Sequence, residues 1–355
     1  MEQNYALLRE STGIARLQPT KIPTLRDDYI LVRTVAVALN PTDYTTLDCP
    51  GDNGTIVGCD YAGIVEEIGS AVTKAFKKGD RIAGFAHGAN DANYENGAFA
   101  RHIAVKGDLQ MHIPDNVSFE EAAGIGVGVG TTGYALYQVL GLPLPPQTNG
   151  SGKTVLIYGG STATGSVAIQ LAKLSGWKVM TTSSPQHFDW LKKLGADEVY
   201  DYRDPSVGQQ LNTATSNTLT HVLDCVSTEP TAAISAAAIS TRSDVGEKIY
   251  CNLLGPKLTR KDVKSIFFLV YSVSGEAYIF EGEAFPAAPQ DYEFAKKWYP
   301  IAEKLWAEGK WKPHPQQIEL GGLGGLVEGM MRMKEGKVRG VKLVYRVEET
   351  VWPEA

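Results

Sequence analysis

The sequence predicts an α/β protein with two domains, a β-rich first domain and a second domain built on a doubly wound parallel sheet. Up to about residue 127, short apolar strands are separated by glycine turns, which is typical of a small barrel or sandwich. From Lys153 onwards, β-branched apolar runs alternate with helical patterns, which is typical of a parallel sheet with crossover helices. A length of 355 residues suits two domains.

The elements of the first domain follow from apolar runs and turn residues. Strands are predicted at residues 29–39, 58–68, 79–84 and 97–105. A helix is predicted after Ser118, because its hydroxyl can cap the helix and Glu120 and Glu121 favour the positive end of the helix dipole. A glycine-rich segment then leads into an apolar helix at Tyr134–Leu140.

A glycine turn joins the first strand of the second domain to its first helix. Strand Thr154–Tyr158 precedes the turn, and apolar residues at helical spacing follow it. Gly160 and Gly165 are two of the three glycines of the dinucleotide-binding fingerprint. Such glycines let the backbone approach a pyrophosphate, whose charge the helix N-terminus attracts. The turn therefore predicts a dinucleotide site, and an ordinary strand-to-helix turn is the alternative.

The end of the second strand indicates which dinucleotide binds. Strand Lys178–Thr182 ends in Ser183 and Ser184, at the place where NAD-binding units carry an acid for the ribose 2′-hydroxyl. An acid would repel a 2′-phosphate, whereas hydroxyls with a nearby cation can hold one. The sequence therefore predicts NADPH/NADP+ as the cofactor.

The remaining strands continue the alternation. They are predicted at residues 197–202, 221–226, 248–254 and 267–273. The end of the chain is predicted as a helix at Leu326–Glu335 followed by a strand at residues 341–346. This last strand has no βα partner and is expected to return to the first domain.

Composition excludes several classes of function. A net charge of −6 without a basic run gives no reason to bind nucleic acid or an anionic membrane. No apolar stretch approaches the length of a membrane span, and the N-terminus lacks a signal-peptide pattern. Four cysteines without a Cys-x-x-Cys motif are interpreted as reduced thiols, so a cytoplasmic protein is expected.

Several motifs, in order and at matching spacing, resemble the medium-chain dehydrogenase/reductase superfamily on its zinc-independent, quinone-oxidoreductase-like side. Besides the glycine turn they are Asn40–Asp43, Gly58–Gly63, Gly79–Arg81, Gly97–Phe99, Lys193–Asp197 and Gly340–Val344. Within it, three stretches are similar to the fungal trans-acting enoyl reductases that partner iterative polyketide synthases. These are Tyr158–Thr164, Leu140–Pro145 and Ser184–Phe188.

The resemblance implies a GroES-like β-barrel catalytic domain at residues 1–127, completed by residues 290–355, and a Rossmann NADP(H)-binding domain at 128–289, with the active site in the cleft. It also implies a monomer that partners a polyketide synthase or a polyketide–nonribosomal-peptide synthase. No metal is expected, because Asn40–Asp43 and Gly58–Asp60 stand where zinc-dependent members carry their ligand motifs. Cys59 and Asp60 do not make the three protein ligands that catalytic zinc needs.

The implied reaction is hydride transfer from NADPH to the β-carbon of an α,β-unsaturated thioester, followed by protonation of the α-carbon. The catalytic candidates are Tyr44, Thr45 and Thr131. Many enoyl reductases carry a lysine just after the first motif, where this chain has Tyr44, Thr45 and Thr46. The proton donor is therefore open between Tyr44, a threonine and water.

The resemblance also implies binding residues. Those expected to contact substrate are Thr131, Thr132, Gly133, Tyr134 and Val273. Those expected to contact the cofactor are Thr42, Asp43, Tyr44, Thr45, Ser161, Thr162, Ala163, Thr164, Gly165, Ser166, Val167, Ser184, His187, Tyr202, Leu253, Leu254, Arg339 and Gly340. Several have a structural alternative: Asp43 as a turn or cap residue, the glycines before Thr131 as close packing, His187 as a surface side chain, the leucines and Val273 as core, and residues 339–342 as a solvated turn.

Three functions are weighed. The first is a trans-acting NADPH-dependent enoyl reductase of polyketide biosynthesis. The second is a stand-alone zinc-independent quinone or alkenal reductase, which would prefer free quinones to thioesters. The third is a non-catalytic NADPH-binding protein, which the thinned glycine motif and the missing lysine would permit.

Overall fold

The computed structural model describes residues 3–147 and 152–353, which form 17 strands and nine α-helices. The strands are β1 (Asn4–Ser11), β2 (Ile14–Thr20), β3 (Tyr29–Ala38), β4 (Asp60–Ile68), β5 (Arg81–Phe85), β6 (His102–Lys106), β7 (Met111–His112), β8 (Thr154–Tyr158), β9 (Lys178–Ser183), β10 (Glu198–Asp201), β11 (His221–Asp224), β12 (Ile249–Asn252), β13 (Lys264–Phe267), β14 (Tyr278–Phe280), β15 (Glu283–Phe285), β16 (Gln316–Glu319) and β17 (Lys342–Arg346). The helices are α1 (Pro41–Asp48), α2 (Phe119–Ala123), α3 (Gly126–Gly133), α4 (Ala163–Leu174), α5 (Phe188–Lys193), α6 (Val207–Ala214), α7 (Glu229–Ala238), α8 (Pro289–Ala307) and α9 (Gly322–Lys334).

The chain divides into two compact units. The first unit consists of Met1–Gly130, Tyr271–Glu308 and Pro313–Ala355, and the second of Thr131–Val270 and Gly309–Lys312. Residues 271–289, which the sequence assigned to the nucleotide-binding domain, therefore group with the first unit. The reason is aromatic packing: Tyr271 and Tyr278 both contact the ring of His87.

The first unit is built on a seven-stranded sheet. Its order is β16-β17-β3-β4-β5-β7, with β6 also paired to β3. All pairs are antiparallel except β16 with β17. Strand β17 pairs with β3, as Val344 opposite Ala38, so the prediction that the last strand returns to the first domain is confirmed. Fully buried side chains of β3, such as Ile30 and Val32, form the core.

The second unit contains a six-stranded parallel sheet of order β10-β9-β8-β11-β12-β13. Counted from β8, this is the order 3-2-1-4-5-6 of a doubly wound dinucleotide-binding fold, and the order reverses between β8 and β11. The prediction of a doubly wound sheet is confirmed. The central strands are fully buried, as expected where helices cover both faces, and Leu156, Val222 and Tyr250 belong to this core.

Two local predictions differ from the structure. The sixth strand is β13, at Lys264–Phe267, whereas the predicted strand at 267–273 contains a 3₁₀-helix at Val270–Ser274. As an edge strand β13 exposes most of its side chains, so its sequence need not be apolar. The predicted helix at Tyr134–Leu140 is π-helical over Tyr134–Val139. None of the helices in the described ranges combines the length and hydropathy needed to cross a bilayer.

Candidate active site

In the second unit, the predicted nucleotide residues follow the carboxyl ends of parallel strands. The glycine turn follows β8, Ser184 follows β9, Tyr202 follows β10 and Leu253 follows β12. Strands β9 and β10 are in register, with Asp201 beside Ser183. Because the carboxyl ends of parallel strands share one edge of the sheet, these residues lie along one edge. This edge, at the point where the strand order reverses, is where doubly wound sheets bind their ligands.

The N-terminus of α4 presents free backbone donors. Thr162 caps this helix: its Oγ1 accepts the N–H of Gly165 at 3.0 Å and donates to the carbonyl of Gly159 at 2.8 Å. The N–H groups of Ala163 and Thr164 have no backbone or side-chain acceptor in the described ranges. They are available to an anion, and the helix dipole adds to the attraction.

The two glycines of the turn are needed for close packing. A Cβ on Gly160 would lie 2.2 Å from Thr181 Oγ1, and one on Gly165 would lie 2.3 Å from the carbonyl oxygen of Gly159. Thr162 stands at the middle position of the fingerprint, where its side chain serves as the cap. The turn therefore keeps the geometry of the fingerprint with two of its glycines.

The predicted phosphate residues differ in accessibility. Within the turn, the half-buried residues are Ser161, Thr162, Ala163 and Thr164, whose backbone and side chains are partly exposed to solvent. Gly165, Ser166 and Val167 are buried, and the hydroxyl of Ser166 donates to the carbonyl of Ala163 at 3.1 Å. These last three residues pack the helix against the sheet.

At the outer end of this edge the structure adds a cation that the sequence analysis missed. Tyr202 is 42% exposed, and Ser184 and His187 are half-buried. Next to Tyr202, Arg203 forms a two-pronged ion pair with Asp201, at 2.9 and 2.8 Å. The charge of Asp201 is thereby compensated, and an arginine follows the end of β10, the strand paired with β9. The only sequence signal is the alternation Asp201-Tyr202-Arg203.

At the end of β12, Leu254 is 69% exposed, which is unusual for a leucine beside a buried strand. Leu253 is held by its N–H, which donates to Ser227 Oγ at 2.8 Å. Ser227 has a φ of +57°, and its own N–H donates to the carboxylate of Asp224 at 2.8 Å. This network fixes the loop that presents both predicted leucines.

The predicted substrate residues of the second unit are largely buried. Thr131 is 6% exposed and Thr132 is fully buried, with its hydroxyl donating to the carbonyl of Thr164 at 3.4 Å. Gly133 is buried and Tyr134 is half-buried, with its ring centroid 4.8 Å from that of Phe268. Thr132 therefore contacts the glycine turn directly.

In the first unit, α1 carries the predicted catalytic and nicotinamide residues. Thr42, Tyr44 and Thr45 are half-buried, whereas Asp43 is 2% exposed. The carboxylate of Asp43 accepts the N–H of Asn40 at 2.7 Å and so caps the helix. Burial raises the pKa of Asp43 to about 7. The side chain of Asp43 therefore serves as the cap, and its contact with a cofactor stays a prediction.

The place where zinc-dependent relatives carry a ligand motif contains an ion pair instead. Asp60 and Lys342 are both buried and lie 2.7 Å apart, and Lys342 also donates to the side-chain oxygen of Asn40. The second oxygen of Asp60 accepts the N–H of Val127 at 2.7 Å. The described part of the chain contains no group of three or more His, Cys, Asp or Glu side chains placed to hold a metal ion. These residues do not fit a catalytic zinc.

Tyr271 is a further residue beside α1 that the sequence analysis missed. Its hydroxyl lies 2.7 Å from Thr42 Oγ1 and 3.7 Å from Cys59 Sγ. The neighbouring Val273 is 1% exposed and belongs to the core. No local sequence signal points to Tyr271, because Thr42 is 229 residues away.

The two C-terminal cofactor candidates lie in an exposed turn before β17. Arg339 is exposed and its Nε donates to the carbonyl of Gly336 at 3.2 Å, while Gly340 has a φ of +68°. Lys342, which follows them, is buried in the ion pair with Asp60. Only the first part of this segment is therefore solvated.

Comparisons with known proteins identify the family. Residues 26–115 match the alcohol dehydrogenase GroES-like domain and residues 163–271 match the zinc-binding dehydrogenase domain. The trans-enoyl reductase ACTTS2 of Alternaria alternata is 44% identical over 344 residues, which cover 97% of this chain and 98% of that protein. The chain belongs to the trans-enoyl reductase family of the medium-chain dehydrogenase/reductases.

Two further comparisons agree with this family. The trans-enoyl reductase TOXD of Cochliobolus carbonum is 49% identical over 285 residues, which cover 80% of this chain and 95% of that protein. The crystal structure of CurK enoyl reductase superimposes with a TM-score of 0.75 at 19% identity, over 97% of this chain and 99% of that chain. At this identity the comparison supports the fold alone. The predicted family and the fold class, a GroES-like domain with a Rossmann sheet, are confirmed, and the chain is an oxidoreductase of the enoyl reductase type.

Proposed function

We propose that this protein is a trans-acting, NADPH-dependent enoyl reductase. It reduces α,β-unsaturated thioesters on a growing polyketide chain that a polyketide synthase, or a polyketide–nonribosomal-peptide synthase, carries on its carrier domain. The observation that carries the proposal is the 44% identity to a trans-enoyl reductase over nearly the full length of both chains. Its monomeric state and cytoplasmic location stay predictions from the sequence.

The nucleotide edge supports a phosphorylated dinucleotide. The free N–H groups of Ala163 and Thr164 suit a pyrophosphate. Ser184 and Arg203, at the ends of β9 and just past β10, suit the 2′-phosphate, since an arginine binds phosphate through several donors. Because Asp201 is paired with Arg203, the acid that lies beside Ser183 is compensated in charge.

The hydroxyl groups of α1 support reduction of a conjugated carbonyl. When bound, reduced nicotinamide supplies a hydride for the β-carbon of the substrate. Negative charge then develops on the thioester oxygen, which hydrogen-bond donors stabilise. Thr42, Tyr44 and Thr45 are half-buried hydroxyl residues on one helix. We assign them as the hydrogen-bond donors to this oxygen and as candidates for the group that protonates the α-carbon. Tyr44, Thr45 and Thr46 stand where many relatives carry a lysine, so the proton donor is a hydroxyl group of this helix or water.

The test is NADPH oxidation by the purified protein with a matched pair of acceptors, an α,β-unsaturated acyl pantetheine and a free quinone. The proposal expects fast consumption of NADPH with the thioester, slow consumption with the quinone and weak activity with NADH. Fast reduction of quinone without reduction of the thioester would contradict it and would indicate a stand-alone reductase. Adding the carrier domain of a synthase with a tethered enoyl chain should lower the KM below that for the pantetheine.

A further inference from the structure

The ring of Tyr271 is held in one position by other aromatic side chains. Tyr271 is 4% exposed. Its ring is stacked on that of His87, with centroids 3.7 Å apart and planes 6° apart. Tyr278 meets it edge-on at 5.9 Å, and the ring of Phe280 lies at 5.4 Å. The position of the Tyr271 hydroxyl is therefore fixed by packing.

This hydroxyl has a single close polar partner among the described residues, Thr42 Oγ1 at 2.7 Å, with Cys59 Sγ more distant at 3.7 Å. A buried hydroxyl costs free energy unless it is hydrogen-bonded, whereas a phenylalanine would fill the same space without that cost. The packing alone therefore does not explain why the ring carries a hydroxyl. Its contact with Thr42 offers a reason.

The neighbours of Tyr271 keep it a neutral donor. Burial raises the pKa of Tyr271 and that of Cys59 well above their ordinary values, so both stay protonated at neutral pH. Burial lowers the pKa of His87 to about 3, so its ring is uncharged. After burial, the negative charge of Asp43 further raises the pKa of both Tyr271 and Cys59, and that of Asp60 raises the pKa of Cys59.

The direction of the hydrogen bond follows from the chemistry of the two hydroxyls. Either hydroxyl can supply the hydrogen of this bond; because a phenol is a better donor than an aliphatic alcohol, we take Tyr271 as the donor to Thr42 Oγ1. The hydrogen of Thr42 then points elsewhere, and donating a hydrogen bond to its oxygen strengthens it as a donor. Thr46 Oγ1 is its other neighbour, at 3.4 Å, which is at the limit of a hydrogen bond. Since Thr42 is half-buried, its hydrogen remains available to a ligand.

We infer that Tyr271 is a positioning residue for enoyl reduction, which holds the hydroxyl of Thr42 as a hydrogen-bond donor to the substrate oxygen on which negative charge develops. The inference rests on the proposed function and adds a named role within it. Tyr271 itself does not touch the substrate in this arrangement. It acts through Thr42.

The test is a double-mutant cycle between Tyr271→Phe and Thr42→Val, read in kcat, in KM and in the Kd for NADP+ from a fluorescence titration. Loss of the Tyr271 hydroxyl should lower kcat and kcat/KM for the enoyl thioester about tenfold, with KM and the Kd for NADP+ unchanged, because the interaction is made only in the transition state. Thr42→Val should lower kcat about 100-fold, as loss of an oxyanion donor does. The double variant should be no slower than Thr42→Val, since the two hydroxyls act as one unit.

Two controls separate positioning from packing. Tyr278→Phe changes a tyrosine of the same aromatic cluster, equally buried, whose hydroxyl forms no hydrogen bond with Thr42 in the described ranges, and it should leave kcat unchanged. Thr42→Ser keeps the hydroxyl and should keep most of the activity. Full activity of Tyr271→Phe, or effects of the two variants on kcat that simply multiply, would overturn the inference. If the wild type reduces quinone but not the thioester, the proposed function fails, and the same cycle on the quinone decides the role of Tyr271.

Discussion

The buried carboxyl group of Asp43 should make the protein less stable as the pH rises through the slightly acidic range. Burial raises the pKa of Asp43 from 3.8 to about 7, and the N–H of Asn40 and the ammonium of Lys342 offset only part of this effect. Asp43→Asn removes the ionisable group while its amide oxygen can still accept the N–H of Asn40, which is 2.7 Å from the carboxylate. Comparing this variant with the wild type isolates one group.

The sign follows from the two pKa values. Below about pH 4 the carboxyl is protonated in both the folded and the unfolded chain, so it makes no pH-dependent contribution. Between about pH 4 and 7 the unfolded chain releases this proton and the folded chain keeps it, so each pH unit lowers the free energy of unfolding by about 1.4 kcal/mol. Above about pH 7 both states are ionised, and the free energy of unfolding has fallen by about 4 kcal/mol in total.

The assay is equilibrium urea unfolding of both proteins at about pH 4, 6 and 8. The advantage of Asp43→Asn should grow from near zero to about 4 kcal/mol over this range. Asp108→Asn is a control of opposite sign: burial raises the pKa of Asp108, but hydrogen bonds from Thr73 and the Lys74 N–H outweigh it and hold the pKa below 3.8. That variant should be destabilised at neutral pH and recover in acid. A difference between wild type and Asp43→Asn that does not change with pH would refute the reasoning.

Three further predictions concern single contacts. Lys342→Met leaves the buried carboxylate of Asp60 without its partner and should cost about 3–5 kcal/mol in urea unfolding, and adding Asp60→Asn should restore most of it. Thr162→Ala removes the cap of α4 and should lower the free energy of unfolding by about 1 kcal/mol in thermal unfolding. Thr162→Gly should lower it by only a few tenths of a kcal/mol, and equal losses in the two variants would contradict the capping role. Arg203→Gln should weaken NADPH binding about tenfold without affecting NADH, because a hydrogen bond to a charged group contributes about 1.5–3 kcal/mol. Arg242, which pairs with Asp244 in the same two-residue spacing, is the matched control, and an equal effect of Arg242→Gln would contradict a specific phosphate contact.

The features that the sequence predicted well have local signals. The strand, glycine turn and helix at 154–174 are adjacent in sequence, so their periodicity and turn residues are sufficient to identify them. The return of β17 to the first unit could be predicted because no further strand and helix follow it in the chain, whereas its parallel pairing with β16 across α9 was not predicted. The wrong strand at 267–273 arose where the apolar pattern misleads, since the true edge strand β13 begins at the exposed Lys264.

The contacts around α1 have no such local signal in the sequence. Thr42 and Tyr271 are 229 residues apart, and Asn40 and Lys342 are 302 residues apart. Neither Tyr271 nor Lys342 differs in its local pattern from a core tyrosine or a solvated lysine. Only the three-dimensional arrangement of β3, β4 and β17 brings Lys342 to Asp60. Such pairings depend on tertiary packing, which the local patterns of a single sequence do not reveal.

The burial of Asp43 also bears on the reaction. It neighbours Thr42 in the chain, and a carboxylate fully ionised there would oppose the negative charge that develops on the substrate oxygen. Because burial raises its pKa to about 7, this side chain carries only part of a charge at neutral pH. The other acid, Asp60, is compensated by Lys342 at 2.7 Å. The helix can thus be capped by an acid while the environment of its hydroxyl donors stays close to neutral, which is what stabilisation of an enolate by uncharged donors requires.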